Sequence, residues 1–332
     1  MFGRFDGALL GYQASDQVLL RAVAGSPVYY GDNAPFADGR FFLGASIDLS
    51  SAGKLWTGSL YAIEQKVGKT VDRRALGGEI RYQGKELQSY AGIDYDVFYG
   101  ELNNAFVNGT WQASDQLTLS GGLDYRRVPF LLTSNALLGQ SVDSLSQLFS
   151  LYGSGEAEAL AVDRTASETS ANLGLAYQFN AHWQASLDGT IAGYSGTPAS
   201  GGVDAVPAPG IEYYLTARLD GSDVFTDGDY AGIGLAYIDS ELYRSSIGDA
   251  SLRYRLNDQW RISPRMRVAY REAKDGNTTQ FLIMPSLSAS YRLTDHWSFE
   301  SEAAVLWEDN QTAGNSDKRT EFRVLFGYRY TF

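Results

Sequence analysis

The sequence predicts an all-β fold, a transmembrane antiparallel up-and-down β-barrel of about 16–18 strands with one helical loop insertion near residues 129–169. Three observations carry this expectation. Apolar and polar residues alternate with a period of two over segments of about 10 to 13 residues, the length of a tilted membrane crossing. Short polar connections alternate with longer ones. Tyrosine and tryptophan cluster at strand ends, where rings with one apolar and one wet end suit a membrane–water boundary.

Composition bounds the alternatives. The 332 residues contain 44% hydrophobic and 13% aromatic residues, with 22 tyrosines. Cysteine is absent, which removes disulfides, zinc–thiolate sites and thiol nucleophiles. A net charge of −12 argues against nucleic acid as a partner, since phosphate binding needs a basic surface. No stretch approaches the roughly 20 apolar residues of a membrane-spanning helix. A mean hydropathy of −0.24 fits a barrel, because half of each strand faces a polar interior. Residues 1–332 read as a single barrel domain. Met1-Phe2-Gly3-Arg4 is not a signal peptide, so the chain is expected to be the C-terminal part of a longer protein.

The first strand is expected over Phe5 to Gln13, followed by the short turn Ala14–Gln17. Further short turns fall at Gly84–Glu86, Ala113–Gln116, Asn180–His182, Asn257–Gln259 and Thr294–His296. Longer or more polar connections run from Ser26 to Gly39, Pro129 to Thr169, Ser195 to Gly210, Lys274 to Asn277 and Asn310 to Lys318. Short turns are expected at the periplasmic rim and long loops at the extracellular rim. The template yields about 17 strands, an awkward odd number. It predicts either a further strand upstream of Met1 or a miscount between Val224 and Ser246.

In chain order, Leu117, Leu119, Leu123 and Tyr125 oppose Thr118, Ser120, Asp124 and Arg126. Between Pro129 and Ser170 lie roughly 40 residues, too long for a structureless connection. There Leu145, Leu148, Phe149 and Tyr152 stand at helical spacing, with Ser141 or Asp143 as the expected cap. This helix is expected in the lumen or across its mouth, with Asp143, Glu156, Glu158, Asp163 and Arg164 as candidates to line a constriction. The equal alternative is a plug packed on the wall through Leu148 and Phe149. Leu173, Leu175, Tyr177 and Phe179 oppose Asn172, Gly174 and Gln178.

The C-terminal third has the strongest phase. Leu252, Tyr254 and Leu256 oppose Ser251, Arg253 and Arg255. Trp260, Ile262, Pro264, Met266, Val268 and Tyr270 oppose Arg261, Ser263, Arg265, Arg267 and Arg271. Phe281, Ile283, Pro285, Leu287, Ala289 and Tyr291 oppose Gln280, Ser286, Ser288 and Arg292. Phe299, Ser301, Ala303, Val305 and Trp307 oppose Glu300, Glu302 and Glu308. In the last strand Phe322, Val324, Phe326, Tyr328, Tyr330 and Phe332 oppose Glu321, Arg323 and Arg329. The inward phase therefore holds a basic wall of Arg253, Arg255, Arg261, Arg265, Arg267, Arg271, Arg292, Arg323 and Arg329. An acidic wall of Glu300, Glu302, Glu308 and Glu321 lies on neighbouring strands. Such walls either set a field across a channel or form salt-bridge ladders.

The terminal run Phe326, Tyr328, Tyr330, Phe332 resembles the C-terminal signal that the bacterial outer-membrane assembly machinery reads. That resemblance implies the outer membrane as location, with its lipid, lipopolysaccharide and assembly machinery as partners. Gly3–Gly7, Asp72-Arg73-Arg74 and Asn135–Gln140 resemble the barrels of porin-like export proteins that carry periplasmic tetratricopeptide repeats.

No catalytic constellation is expected. His182 and His296 both fall in short turns beside tryptophan, the wrong rim for a histidine-based hydrolase and a poor metal pair. Asp94, Asp96 and Asp124 share the inward phase, but their pairing is expected by chance at this charge density. No phosphate loop or dinucleotide fingerprint is present, so neither cofactor nor metal is expected. The expected function is a monomeric channel, a porin or an export pore for hydrophilic solutes or polymer. The alternative is a plugged barrel that anchors a periplasmic domain or partner.

Overall fold

A computed structural model describes residues 5–28 and 39–331. It contains seventeen strands in an antiparallel sheet. They are β1 (Phe5–Ser15), β2 (Val18–Pro27), β3 (Arg40–Ser50), β4 (Trp56–Val67), β5 (Thr70–Gln83), β6 (Leu87–Asp96), β7 (Glu101–Gln112), β8 (Leu117–Val128) and β9 (Ala166–Gln178). There follow β10 (Trp183–Tyr194), β11 (Gly210–Ser222), β12 (Tyr230–Asp239), β13 (Tyr243–Arg255), β14 (Trp260–Ala273), β15 (Thr278–Arg292), β16 (Trp297–Thr312) and β17 (Asn315–Tyr330). Helices α1 (Leu145–Tyr152) and α2 (Ser154–Asp163) interrupt the strands between β8 and β9. The stretch from Val224 to Ser246 holds β12 and the start of β13, as the strand count requires.

The chain forms two compact units. One comprises Met1–Trp111, Ser120–Ala171 and Ala192–Gly210, and the other Gln112–Leu119, Asn172–Ile191 and Ile211–Phe332.

In the first unit, β1 to β7 pair in sequence, each antiparallel to the next. One face carries exposed Leu10, Phe41, Leu43, Leu60, Leu76, Ile80 and Ile93. A contiguous apolar face of this kind is stable against lipid and costly against water. The other face buries Tyr61, Ile63, Gln65, Arg73, Asp94 and Asp96. It also holds an apolar cluster of Val23, Phe42, Ile63 and Ala75, with Phe5 packed against it. These apolar groups sit among polar ones on the covered face, so period-two alternation gives no sign of them.

In the second unit, β11 to β17 pair in the same way. Phe322, Val324 and Phe326 are between 76% and 78% exposed on the apolar face. Trp260 stacks near Tyr291 with ring centroids 4.7 Å apart, and Trp297 near Tyr330 at 4.8 Å. Trp56 and Tyr82 make the same contact in the first unit at 4.5 Å. Each of the three pairs adjoins a short turn. On β16, Trp307 packs edge-on against Phe281 at 5.9 Å, ten residues beyond Trp297. Ten residues span ~33 Å of strand, or ~25 Å of bilayer at a 40° tilt, which matches a barrel's apolar band.

The expected loop from Asn310 to Lys318 is instead a hairpin. Strands β16 and β17 pair up to Thr312 and Asn315, leaving a turn of Ala313 and Gly314 with φ of 50° and 85°. Two consecutive positive φ values give the turn whose twist matches a hairpin. The segment looked like a loop because both its faces are polar, as they must be beyond the apolar band.

Candidate functional site: the polar face and its docked insertion

In the first unit the insertion folds around its own apolar cluster of Leu131, Ala136, Leu145, Leu148, Ala157, Leu160 and Ala161. Val67 and Tyr99 of the wall pack against it. Helix α1 is the predicted one, but its cap is Ser144, whose Oγ accepts from Gln147 N at 3.4 Å. Ser144 stands directly before the helix, where a side-chain oxygen reaches the free amides; Ser141 and Asp143 stand too far out. Helix α2 and a 3-10 turn over Thr133–Leu137 complete the insertion.

Two β-bulges supply its anchors. Between β4 and β5, Gln65 pairs Arg73 and Lys66 pairs Val71, so Asp72 is the extra residue. Between β6 and β7, Asp94 pairs Asn104 and Tyr95 pairs Leu102, so Asn103 is extra. A bulge turns an additional side chain toward one face. Asp72 uses it to accept from Ser134 N at 2.8 Å and Gln65 Nε2 at 2.7 Å. Asn103 Oδ1 accepts from Leu131 N at 3.1 Å. Thr133 Oγ1 donates to Val71 O at 2.8 Å and lies 2.6 Å from the Tyr99 hydroxyl.

Beneath the insertion lies a buried charged group. Arg73 pairs with Asp94, and its guanidinium sits 4.4 Å from the centre of the Phe130 ring. Tyr61 crosses over Gly77 to donate to Asp94 at 2.6 Å. A Cβ on Gly77 would fall 2.2 Å from the Tyr61 ring, so glycine is needed for this reach. Asp96 accepts from the amides of Phe98 and Tyr99 at 2.9 and 3.1 Å. In the turn outside the strands, burial raises the Tyr99 hydroxyl above the ordinary tyrosine pKa, and nearby Glu158, Asp72 and Asp96 add to the rise.

The segment 195–209 straps the insertion from the other side. Gln140 Nε2 and the Tyr152 hydroxyl donate to Gly201 O at 3.0 and 3.3 Å. Arg164, 7% exposed, donates to Pro198 O and to Ser200 Oγ. Of the candidate constriction residues, Asp143 and Glu156 are exposed and Glu158 and Asp163 half-buried, while Arg164 is taken up in this strap. Asp124 is apart from the covered aspartates, 3.3 Å from Arg126.

In the second unit the predicted phases hold in register. Across β13 and β14, Ser251 faces Arg265 and Arg255 faces Arg261. Across β14 and β15, Arg265 faces Ser286 and Arg261 faces Ser290; across β15 and β16, Ser288 faces Glu302 and Ser290 faces Glu300. Glu302 pairs with Arg323 at 2.6 Å and Glu300 with Arg329 at 3.8 Å. Glu308 accepts from Gln280 Nε2 at 2.6 Å and Asn310 Nδ2 at 2.5 Å, and Glu321 pairs with Arg319. Arg255 pairs with Asp258 at 2.5 Å, and Arg292 donates to Asp258 O at 2.9 Å. Arg271 lies 4.4 Å over the Tyr243 ring and Arg253 5.9 Å from that of Tyr230.

The histidines sit in turns. His182 Nδ1 is 3.1 Å from Ser222 O, and His296 Nδ1 is 2.9 Å from Thr331 O. In the turn before β12, burial opposes charge on Asp229. The amides of Thr226, Phe225 and Val224 outweigh it and hold the carboxyl below its ordinary range.

Sequence reasoning missed Tyr61, Asp72, Asn103 and Thr133 as docking residues. The one available signal was Asp72-Arg73-Arg74, three consecutive charges in a strand, which a strict alternation cannot place. Within the terminal signal, Phe326, Tyr328 and Tyr330 lie on the apolar face of β17; Phe332 lies outside the described residues.

No protein-family model matches the chain, and no curated protein matches it. Solved structures do. A mutant of the ferric enterobactin receptor PfeA from Pseudomonas aeruginosa matches at 12% identity with a TM-score of 0.50, over 98% of this chain and 59% of that one. OmpT, an outer membrane protein of Vibrio cholerae, matches at 12% identity with a TM-score of 0.43, over 95% and 98%. A bacterial polysaccharide outer membrane secretin matches at 12% identity with a TM-score of 0.38, over 96% and 99%. The PfeA likeness is one of fold. With the lipid-suited apolar face, the aromatic pairs beside short turns and seventeen antiparallel strands, it makes the chain a β-barrel protein of the bacterial outer membrane.

Proposed function

We propose that the barrel is a passive channel, a porin or export pore that passes hydrophilic solutes or polymer, and not an enzyme. The observation that carries this is the polar face of β13 to β17. Arg253, Arg261, Arg265, Arg267 and Arg271 are exposed there, as are Glu300 and Arg329. Charges at this density on one face are stable only in contact with water, which a conducting lumen provides. The test is single-channel conductance of the refolded protein in a planar bilayer. Steady current supports the channel; a folded, inserted and silent protein overturns it.

A second reading has its own observation. The insertion is held by buried polar contacts from both bulges and from the 195–209 strap, as a permanent plug would be. A plugged barrel would anchor a periplasmic domain or partner at the outer membrane. It predicts silence in the bilayer even when the strap is loosened. We also read Phe326, Tyr328 and Tyr330 as the signal for the assembly machinery. Alanine at these positions should lower insertion in cells while leaving refolding into lipid vesicles unchanged; equal loss in both would count against that role.

A further inference from the structure

The two charged walls of the second unit are not equivalent. Glu300 and Glu302 each have an arginine on β17, and Glu308 is met by two side-chain amides. Arg261, Arg265 and Arg267 of β14 make no ion pair among the described residues, and neither do Arg253 and Arg271. The carboxylate nearest in register is Asp249, opposite Arg267, but it leans to Arg218 at 3.6 Å, which also binds Asp220 at 3.2 Å. The acidic wall is answered by partners on β15 to β17, whereas the β14 row has no ion-pair partner among the described residues.

What flanks that row is hydroxyl. Arg265 has Ser251 on one side and Ser286 on the other, and Ser263 faces Ser288. A guanidinium fork beside hydroxyl donors is the arrangement that receives carboxylate, phosphate or sulfate oxygens in pairs. Two residues separate Arg265 from Arg267, ~6.6 Å along a strand, and four separate each from Arg261 and Arg271, ~13 Å. The donors form a series along the strand rather than a single cup.

We propose that β13 to β15 form a track for oxyanions, which makes the passage anion-selective and suits it to solutes bearing carboxylate, phosphate or sulfate groups. Mutual repulsion keeps the arginines hydrated and available; a multivalent anion relieves it, bridging successive positions. As a statement about permeation this rests on the channel reading above. As a statement about binding it does not.

The experiment therefore measures both on the refolded full chain. Reversal potential is taken in a potassium chloride gradient. Binding of sodium tripolyphosphate is followed by calorimetry in detergent at low salt. The expected results are chloride preference and saturable tripolyphosphate binding. Arg265→Ser with Arg267→Ser should weaken binding by about tenfold or more and move the reversal potential toward potassium. Glu300→Gln with Glu302→Gln should change binding less than threefold. Arg265→Lys with Arg267→Lys keeps charge without the fork, so it should keep chloride preference and weaken binding; it also serves if the serine pair folds poorly. Binding in a silent barrel keeps the track and overturns the channel. Conductance with potassium preference, or with no tripolyphosphate binding, keeps the channel and overturns the track.

Discussion

The docking of the insertion depends on one buried ion pair, and Arg73→Met tests it. Arg73 and Asp94 have side chains 11% and 6% exposed, so solvent screens them little. Removing the arginine leaves Asp94 with the Tyr61 hydroxyl as its side-chain partner among the described residues and takes the guanidinium from Phe130. Removing one member of a buried pair costs ~3–5 kcal/mol, chiefly because the other charge is stranded. At ~1.4 kcal/mol per decade this is about two to three and a half decades in a local opening equilibrium. The readout is hydrogen exchange at the amides of Leu131 and Ser134, which are bonded to Asn103 and Asp72. Both should exchange about a hundredfold faster or more, while the amides of β14 and β15 keep their rates. Adding Asp94→Asn removes the stranded charge and keeps an acceptor for Tyr61, so most of the protection should return. Rates within threefold of the wild type in Arg73→Met, or no recovery in the double variant, would refute the reasoning.

Other perturbations separate the remaining elements. Leu148 is fully buried in the insertion's cluster, so Leu148→Ala should cost ~2–5 kcal/mol of local stability and speed proteolytic nicking between 129 and 165; wild-type resistance would contradict the packing. Leu287, half exposed on the apolar face of β15, should lose ~2–4 kcal/mol of folding stability in lipid on replacement by arginine. Ser288→Arg, one residue on and facing the polar side, should fold as the wild type does, and equal losses would mean the faces are misassigned. Asp229 has a lowered folded pKa, so its contribution is present above the unfolded value of ~4 and is lost as pH falls through the folded one. The amide shifts of Val224, Phe225 and Thr226 should titrate together in that acid window and lose their titration in Asp229→Asn; titration persisting in that variant would assign it elsewhere.

The strand framework was legible because lipid on one side forces alternation at every second residue. Arg261, Arg265, Arg267 and Arg271 could be placed on one face from spacing alone, and the register agrees. Legibility ended where that constraint ends. Above the apolar band, Asp309 to Thr320 is polar on both faces, so a paired hairpin reads as a loop. Helix α2 has buried Ala157, Leu160 and Ala161 at helical spacing, but two of the three are alanines and Gly155 stands in its first turn. Small side chains give little contrast between faces. The bulges at Asp72 and Asn103 break the period by one residue, and a single sequence does not show which strand gains it. The burial of Arg164 depends on a strap about 35 residues further along, a separation that no local pattern reaches.

The bulged anchors have a consequence for anyone who would widen this barrel by trimming it. Excising residues 129–165 would not uncover a finished surface. It would leave Asp72 without Ser134, Asn103 without Leu131 and Tyr99 without Thr133, beside an ion pair exposed to water. The wall between β4 and β7 is an unfinished half whose other half is the insertion. A sound deletion must also remove the two extra residues and return Gln65 and Asp94 to regular pairing.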